Sequence, residues 1–435
     1  MITLKEYQAR RRDLAMRLPP DGVAVIPAAS ESLRNGDVYY RFRQDSDFYY
    51  LTGFNEPDAL LLISSGPSGQ CILFNRPRDP AQEQWTGKRL GQDGAREVLG
   101  IDLAFSIATL DKQLPDLLAG KRALYYELGC IPLWEKRILD AWLVVRGRAR
   151  RGVQAPESFC DLGPILGEMR LFKSAAEIGL MQQAAQISVA AHQRAMRACQ
   201  QISNEYQLEA ELLYEFSRHG CRGVAYDPIV AGGNNACILH YTENNQPLEK
   251  GDLVLIDAGG EFENYAADIT RTFPINGRFS PEQRLIYDLV LRSQKAGIAC
   301  VRPGCAWDEV QRTIVSILTE GLVELGLLQG AVNELIEREA YKSFYMHQSG
   351  HWLGLDVHDC GPYKIEGKWR PLEPGMVLTV EPGLYISADT PGVDRRWWGI
   401  GVRIEDDILV TKDGHDNLTG ALAVEIDDLE ALVRG

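Results

Sequence analysis

Several features that define other classes of protein are missing from this sequence. The 46 lysines and arginines are outnumbered by 60 aspartates and glutamates, which leaves a net charge of −14. A nucleic-acid-binding protein needs an excess of basic side chains to neutralise phosphates, so we expect no nucleic-acid partner. The longest apolar runs, such as residues 59–63, are far shorter than the ~20 residues of a membrane-spanning helix, so we expect no membrane association.

Motifs of several enzyme classes are missing as well. There is no GxSxG motif of serine hydrolases and no phosphate-binding GxxxxGK loop, and the GxG at residues 399–401 lacks the rest of a dinucleotide-binding fingerprint. The nine cysteines are scattered singly, without a CxxC pair, and their number is odd. Such usage is typical of a reducing compartment, so we expect a cytoplasmic protein in which most cysteines are small core residues.

The length of 435 residues predicts two domains. In the first part of the chain, short apolar runs alternate with helical patterns, which predicts an α/β domain. The stretch 146–164 has no clear periodicity and contains two prolines, so we place the domain boundary in this region and assign residues 1–170 and 171–435 to the two domains. The predicted strands are 23–26, 60–63, 71–74 and 123–126, and the predicted helices lie near 5–17, 92–98 and 132–143.

The second part of the chain opens on a helix start. Ser174 and Glu177 have the S-x-x-E spacing of a capping box, and apolar residues follow them at helical spacing. A second helix near 206–218 and the apolar strand 253–257 come next. The same order then recurs, with helices over 281–299 and 307–326 followed by strands over 377–381 and 402–410. We interpret this recurrence as a structural duplication, although the two halves share few identical residues.

The seven histidines are unevenly distributed. None occurs before residue 192, whereas His347, His351 and His358 lie close together in YMHQSGHWLGLDVHDCG. The spacing of His347 and His351 fits a helical metal-binding pair, but Gly350 and Gly354 interrupt the segment and favour a loop that leads into a strand. The cluster is therefore either a functional site or a polar loop with incidental histidines.

Four acidic residues lie in or beside apolar strand segments. Asp257 ends the run LVLID, Glu381 ends VLTVE, and Glu405 lies inside VRIEDDILV. Asp268 occurs in ADITRTFP. Burying an unpaired carboxylate costs several kcal/mol, so each acid either forms a local ion pair, lies at a solvated strand end or binds a cation. The four acids together with the histidine cluster favour a site for divalent metal ions.

Five segments of the C-terminal part resemble, in the same order, those of metal-dependent aminopeptidases and prolidases of the pita-bread fold. They are ILHYTEN (238–244), LIDAGGEFENYAADITRTF (255–273), HQSGHWLGLDVHD (347–359), TVEPGLY (379–385) and GVRIEDD (401–407). The segment YRFRQDSDFYYLTGFNEPDALLLI (40–63) is similar to the N-terminal domain of bacterial aminopeptidase P enzymes of this family. The resemblance implies an α/β N-terminal domain over 1–170 and an α+β pita-bread catalytic domain over 171–435.

The resemblance also implies which side chains form the site. We expect two divalent metal ions bridged by Asp268 and Glu405, and the oxygen-rich donors favour Mn²⁺ over the zinc of thiolate sites. Arg403 would lie behind a ligand and orient it. The implied metal ligands are Asp257, Asp268, His351, Glu381 and Glu405, and the implied catalytic or substrate-binding residues are His240, His347, His358, Glu381, Arg403, Tyr226 and Trp85.

The activity that the resemblance implies is hydrolysis of the bond between an N-terminal residue and a following proline, with a metal-bridging hydroxide as the nucleophile. A prolidase, which cuts only Xaa-Pro dipeptides, is the alternative within the family, and Arg370 and Arg395 could hold the carboxylate of its product. A pita-bread protein that only binds is a third alternative, although such proteins typically lose metal ligands that are all present in this sequence.

A second copy of the chain is the macromolecular partner that we expect. In bacterial relatives, N-terminal residues of one subunit approach the active site of another. Trp85 and Asp37 match positions implicated in that contact. We therefore expect a homotetramer, or at least a dimer, although Trp85 is also compatible with an ordinary surface or core position.

Overall fold

The chain folds into two compact units, Met1–Arg170 and Leu171–Gly435. The computed structural model describes residues 1–67 and 69–435. Among the residues that it describes, no helix is long and apolar enough to cross a membrane. All nine cysteines are free thiols, and Cys71, Cys199, Cys221 and Cys305 are buried among core residues.

A mixed six-stranded sheet forms the centre of the first unit. The strands of this unit are β1 (Gly22–Pro27), β2 (Leu33–Asn35), β3 (Val38–Tyr39), β4 (Leu60–Ser64), β5 (Cys71–Asn75), β6 (Leu103–Ser106), β7 (Ala123–Tyr126) and β8 (Ser158–Asp161). The sheet has the order β6-β5-β4-β1-β7-β8, and β2 and β3 form a separate exposed hairpin. The four apolar runs predicted as strands are β1, β4, β5 and β7, and Val23 and Val25 pack in one core with Leu114 and Ile138.

The helices of the first unit include three predicted ones and several that the sequence pattern did not reveal. They are α1 (Leu4–Arg17), α2 (Ser46–Thr52), α3 (Pro80–Thr86), α4 (Gly91–Leu99), α5 (Leu110–Leu118), α6 (Pro132–Gly147) and α7 (Gly163–Leu171). The start of α2 is capped by Asp45, whose carboxylate accepts a hydrogen bond from the Phe48 N–H. Because α2 is short and buried on almost every side, it has no apolar stripe from which a helix could be recognised.

The irregular stretch 146–164 lies inside the first unit, so our placement of the boundary in this stretch was wrong. Residues Ser158–Asp161 form β8, which pairs in parallel with β7. The first unit continues beyond this strand to Arg170. A strand of four residues at the edge of a sheet carries too little periodicity to be recognised between prolines.

The second unit contains two helix pairs, each followed by strands. Its helices are α8 (Ala175–Ala198), α9 (Glu205–Arg218), α10 (Pro281–Cys300), α11 (Trp307–Glu324), α12 (Val332–Glu337) and α13 (Ile426–Arg434). The predicted capping box of α8 is present, because the Ser174 hydroxyl accepts from the Glu177 N–H and the Glu177 carboxylate accepts from the Ser174 N–H. The helices of each pair, α8 with α9 and α10 with α11, pack against each other.

Short antiparallel sheets follow the helix pairs. The strands are β9 (Gly223–Val224), β10 (Ile229–Gly232), β11 (Leu253–Asp257), β12 (Gly260–Phe262), β13 (Tyr265–Ala266), β14 (Thr270–Pro274), β15 (Lys364–Ile365), β16 (Lys368–Trp369), β17 (Val377–Val380), β18 (Gly383–Ile386), β19 (Ile400–Arg403), β20 (Asp406–Val410) and β21 (His415–Asn417). The first half contains the sheet β10-β11-β14, and the second contains β17-β20-β21 and the pair β18-β19. The single strand predicted over 402–410 is thus two strands in different sheets, with Ile404 and Glu405 between them.

Candidate metal centre

Strand ends from both halves of the second unit meet at one place. Asp257 is the last residue of β11 and pairs across the ladder with Thr270 of β14. Glu405 lies in the gap between β19 and β20, where its N–H donates to the Thr270 carbonyl at 3.1 Å. This bond joins the two halves and brings Glu405 close to Asp268, which lies just before β14. The break in the predicted strand is therefore what turns the Glu405 side chain towards the other acids.

The histidine segment reaches the same place through a close approach of two backbones. The Thr379 N–H donates to the His351 carbonyl at 3.0 Å, and the Glu381 N–H donates to the Ser349 carbonyl at 2.9 Å. A Cβ atom on Gly350 would lie 2.1 Å from the Thr379 carbonyl oxygen, so only glycine lets the two segments lie this close. Gly350, which made a helix unlikely in the sequence analysis, is thus one of the residues that allow His351 to lie beside β17.

The predicted ligands form a compact group. Asp268, His351 and Glu405 each offer a ligand atom, and these atoms lie within 4.8 Å of one another. His351 Nε2 lies 3.4 Å from Asp268 Oδ2 and 3.6 Å from Glu381 Oε1. Asp268 and Glu405 are only 5% and 2% exposed, so water screens the repulsion between their negative charges only weakly.

Hydrogen bonds from the surroundings orient this group. His351 Nδ1 lies 3.0 Å from the Trp352 carbonyl oxygen, which can only accept, so Nδ1 carries a proton and Nε2 is the ring nitrogen that faces the acids. The Thr270 hydroxyl donates to Glu405 Oε2 at 2.6 Å. Partners of this kind, which fix the tautomer of a histidine and the rotation of a carboxylate, are characteristic of metal ligands in proteins.

Tyr226 connects Asp257 to the same group. Its hydroxyl lies 2.5 Å from Oδ1 of Asp257 and 2.5 Å from Oδ1 of Asp268, so the two carboxylates flank one phenol. Burial raises the pKa of Tyr226 well above its usual value, and the charges of Asp257 and Asp268 raise it further. The phenol therefore stays protonated and can donate to either acid. We expected Tyr226 as a wall for the substrate, and its ring does line the cavity while its hydroxyl contacts the two acids.

The electrostatics of the acids favour a site for cations. Burial raises the pKa of Asp268, Glu381 and Glu405, and the negative charges of the neighbouring acids raise all three further. Burial alone would lower the pKa of His351, but its hydrogen bond to Asp268 and the charges of Glu381 and Asp268 raise it to about 9. Binding of a cation to this group would therefore displace protons, as is expected of a metal site built from carboxylates and an imidazole.

The donor set fits divalent metal ions. Carboxylate oxygens and a single imidazole nitrogen suit hard or borderline ions, and no cysteine is among the residues that line this part of the described chain. Two such ions supply a charge of +4, which would balance the four carboxylates of Asp257, Asp268, Glu381 and Glu405.

A chain of hydrogen bonds leads from the acids to a further histidine. Arg403 donates from Nη2 to Asp257 Oδ2 at 2.6 Å and from Nη1 to the Tyr385 hydroxyl at 3.0 Å. The Tyr385 hydroxyl lies 2.8 Å from His347 Nε2, which can accept its proton because His347 Nδ1 faces the Gln348 carbonyl. Burial, followed by the charge of Arg403, lowers the pKa of His347 to about 4, so this imidazole is neutral at pH 7.

A cavity of about 910 Å³ lies over the acids. His358 is part of its wall, with its ring 4.4 Å from that of His351, and burial followed by the charge of His351 lowers its pKa. His240 is an exposed part of the same wall. The predicted site residues that line the cavity are Tyr226, His240, Asp257, Asp268, His347, His351, His358, Glu381, Arg403 and Glu405.

Three predicted residues lie elsewhere. Trp85 belongs to the first unit, on α3, and is 86% exposed. Arg370 is buried, pairs with Glu373 at 3.2 Å and does not line the cavity. Arg395 packs over the Trp398 ring and does not line it either. Neither position supports the suggestion that Arg370 or Arg395 holds a product carboxylate, because both guanidinium groups contact other side chains and neither lines the cavity.

Comparison with known proteins agrees with this geometry. The model of metallopeptidase family M24 matches residues 179–412, and the model of the aminopeptidase P N-terminal domain matches residues 7–125. The chain belongs to metallopeptidase family M24. The predicted fold class, an α/β N-terminal domain followed by a pita-bread catalytic domain, is confirmed, and the chain is a metallohydrolase of this family.

The similarity to individual members of the family extends over the full chain. The Xaa-Pro aminopeptidase of Escherichia coli (strain K12) is 47% identical over 99% of this chain and 98% of its own length. The solved structure of Pseudomonas aeruginosa aminopeptidase PepP is 50% identical, covers 100% of this chain and 98% of its own, and superposes with a TM-score of 0.97. The structure of E. coli aminopeptidase P with the inhibitor Pro-Leu is 46% identical, covers 100% and 98%, and gives a TM-score of 0.96.

Sequence reasoning missed Tyr385 and the connecting role of Thr270. Tyr385 lies within the segment TVEPGLY, but its contact with Arg403 depends on the pairing of β18 with β19, in which Gly383 lies opposite Arg403. Thr270 bonds to both Glu405 and Arg403 because β14 packs against the segment that carries both of them. Cross-strand register of this kind leaves no signal in the spacing of a single sequence, so neither residue could have been found from it.

Replacement of Glu405 by glutamine should have opposite effects with and without metal. Glu405→Gln retains the size of the side chain and an oxygen for the Thr270 hydroxyl, but removes one charge from a buried group of like charges. In the metal-free protein we expect the variant to unfold at a higher temperature than the native chain, by the equivalent of about 1–3 kcal/mol. In Mn²⁺ at about 100 times its Kd the native chain should gain about 2.7 kcal/mol, and the variant much less.

Differential scanning calorimetry in EDTA and in Mn²⁺ measures both effects. The matched control is Asp227→Asn, because Asp227 is an exposed acid that lines the same cavity outside the acid group, and its removal should leave the metal-induced shift unchanged. An equal shift by Mn²⁺ in the native chain and in Glu405→Gln would contradict the role of Glu405 in this centre.

Proposed function

We propose that this chain is an Xaa-Pro aminopeptidase, which hydrolyses the bond between the N-terminal residue of a peptide and a following proline. The observation that carries the proposal is the group of four acids and His351 at the buried end of a cavity of about 910 Å³. The full-length similarity to the E. coli Xaa-Pro aminopeptidase supports the choice of substrate. We further propose that the N-terminal aminopeptidase P domain extends over residues 1–170 and the catalytic domain over 171–435.

We propose that two divalent metal ions, most consistent with Mn²⁺, are bound by the acid group. Asp268 and Glu405 would bridge the ions, because they are the two most deeply buried acids of the group and both offer a ligand atom beside His351. Asp257, His351 and Glu381 would complete the ligand set. When bound, the ions neutralise the carboxylates and bring the pKa of a shared water towards ~7, which provides the hydroxide nucleophile.

The remaining side chains have separate roles in this proposal. Glu381 would take the proton of the water and pass it to the departing nitrogen, because its carboxylate lines the cavity beside His351. His358 and His240 hold the substrate and stabilise the negative oxygen that develops during attack. His347 lines the pocket on the leaving side, where Tyr385 keeps its Nε2 oriented. Arg403 fixes Asp257 through its hydrogen bond.

Selection for proline depends on the shape of its ring. The amide nitrogen of proline has no hydrogen, so a groove that pairs with the peptide backbone cannot recognise it. We propose that Tyr226, His240 and His347 form the walls that fit this ring. The α-amino group of the substrate would lie near Asp257 and the metals, which explains cleavage after one residue.

The comparison of tripeptides with dipeptides tests the substrate. We expect Ala-Pro-Ala to be hydrolysed with a higher kcat/KM than Ala-Pro in the presence of Mn²⁺, because no unpaired basic side chain lies among the walls that we assign to the proline. Of the described cavity-lining residues, Arg403 is bonded to Asp257, and Lys364 lies on an exposed hairpin. A prolidase would need such a group to hold the carboxylate of the product proline. Activity should disappear in EDTA and return when Mn²⁺ is added.

The control for this experiment is His358→Ala, which leaves the acid group intact. It should retain its metals, measured by elemental analysis, while kcat on Ala-Pro-Ala falls by ~10²-fold. Hydrolysis of dipeptides alone would replace this proposal with the prolidase alternative. A kcat unaffected by His358→Ala would remove this histidine from the mechanism.

We also propose that the chain functions as a homotetramer, or at least a dimer, in the cytoplasm. The exposed indole of Trp85 and the exposed Asp37 are the groups that we assign to the contact near a neighbouring active site. The side chain of Trp85 is 86% exposed, so it is accessible to a neighbouring subunit, as this assignment requires. Multi-angle light scattering at micromolar concentration tests it, with a mass of four or two chains expected and a pure monomer as the contrary result.

A further inference from the structure

A small hairpin forms part of the wall of the cavity. It consists of β15 and β16, and both of its strands are exposed to solvent. Lys364 and Trp369 of the hairpin line the cavity together with Tyr363 and Trp307. Because Asp268 and Glu405 are buried and the hairpin is exposed, the acids form the floor of the cavity and the hairpin forms part of its mouth.

The register of the hairpin separates its side chains into two faces. Lys364 pairs with Trp369 and Ile365 pairs with Lys368. Since neighbouring residues of a strand point to opposite faces, Lys364 and Trp369 lie on one face and Ile365 and Lys368 on the other. Only the face of Lys364 and Trp369 lines the cavity. The two lysines of the hairpin are therefore alike in exposure but differ in whether they face the site.

The ammonium group of Lys364 is held in position. Its Nζ lies 4.2 Å from the centroid of the Trp369 ring, at the distance of a cation–π contact. Lys364 and Arg403 are the lysine and arginine side chains among the described residues that line the cavity. Arg403 is buried and bonded to Asp257, Tyr385 and Thr270, so its charge is already matched. The charge of Lys364 thus faces the open part of the cavity.

The direction of a bound peptide follows from the proposed function, on which this inference rests. The first residue of the substrate lies at the metals on the cavity floor, and the proline lies between the walls. The third residue is the first that can reach the mouth, where it meets Lys364 and the indole of Trp369. We propose that the face of Lys364 and Trp369 is a subsite for a carboxylate carried at the third position of the peptide.

Such a carboxylate has two sources, which are the C-terminus of a tripeptide and an acidic side chain at the third position. Two pairs of substrates distinguish them: Ala-Pro-Ala against its C-terminal amide, and Ala-Pro-Asp amide against Ala-Pro-Asn amide. We expect the native enzyme with Mn²⁺ to hydrolyse the charged member of at least one pair with a kcat/KM about three- to fivefold higher than the uncharged member. The difference should lie mainly in KM, and it should be small because the charge pair is partly exposed to solvent. This ratio should fall as ionic strength rises.

Variants of the two lysines test the assignment. In Lys364→Met, which retains the apolar stem, the ratio should fall to about one, and in Lys364→Glu it should fall below one. The matched control is Lys368→Met, which removes the same charge from the opposite face and should leave the ratio as in the native enzyme. The pair of peptides whose kcat/KM ratio changes in Lys364→Met identifies the source of the carboxylate, either the C-terminus or the side chain of the third residue.

The possible contrary results are distinct. The subsite would be overturned if the native enzyme showed equal kcat/KM for the charged and uncharged peptide of both pairs, or if Lys364→Met left the kcat/KM ratio unchanged. In either case, hydrolysis of the peptide amides would still support the proposed aminopeptidase activity. A ratio lowered equally by Lys364→Met and Lys368→Met would also overturn it, since the effect would then come from net charge. Failure of the native enzyme to cleave any of the four peptides would overturn the proposed function itself.

Discussion

The repulsion between four desolvated carboxylates is the constraint on which the second unit depends. Asp257, Asp268, Glu381 and Glu405 lie around one point, and burial and mutual repulsion raise the pKa of three of them. Such an arrangement costs folding free energy, so it persists only where the rest of the structure enforces it or a cation relieves it. The acids are held by backbone ladders, which meets the first condition, and their donor atoms suit divalent metals, which would meet the second.

The backbone enforces the arrangement by ending or interrupting strands at the acids. Asp257 ends β11, Glu381 directly follows β17, and Glu405 fills the gap between β19 and β20. The bond from the Glu405 N–H to the Thr270 carbonyl ties the two halves of the unit together at this gap. A buried sheet core thus delivers polar side chains to one edge, where a cavity of about 910 Å³ gives a peptide access. The buried strands thus stabilise the fold, and the residues at the strand ends form the site.

Sequence reasoning predicted the parts of this account that depend on local pattern. The run LVLID predicted a buried strand that ends in an acid, and the spacing of Ser174 and Glu177 predicted the start of α8. The grouping of Asp268, His351 and Glu405 came from resemblance, because residues so distant in the chain have no spacing rule that joins them. The edge strand β8, the break at Glu405 and the contact of Tyr385 with Arg403 were not predicted, since each depends on tertiary pairing.

The central claim is that the acids and His351 together hold two metal ions. Crystals of the protein grown with Mn²⁺ and measured at a wavelength that excites manganese give the most direct test. We predict two anomalous peaks about 3.5–4 Å apart, with Asp268 and Glu405 contacting both. A single peak, or peaks that Asp268 and Glu405 do not bridge, would contradict the dinuclear centre.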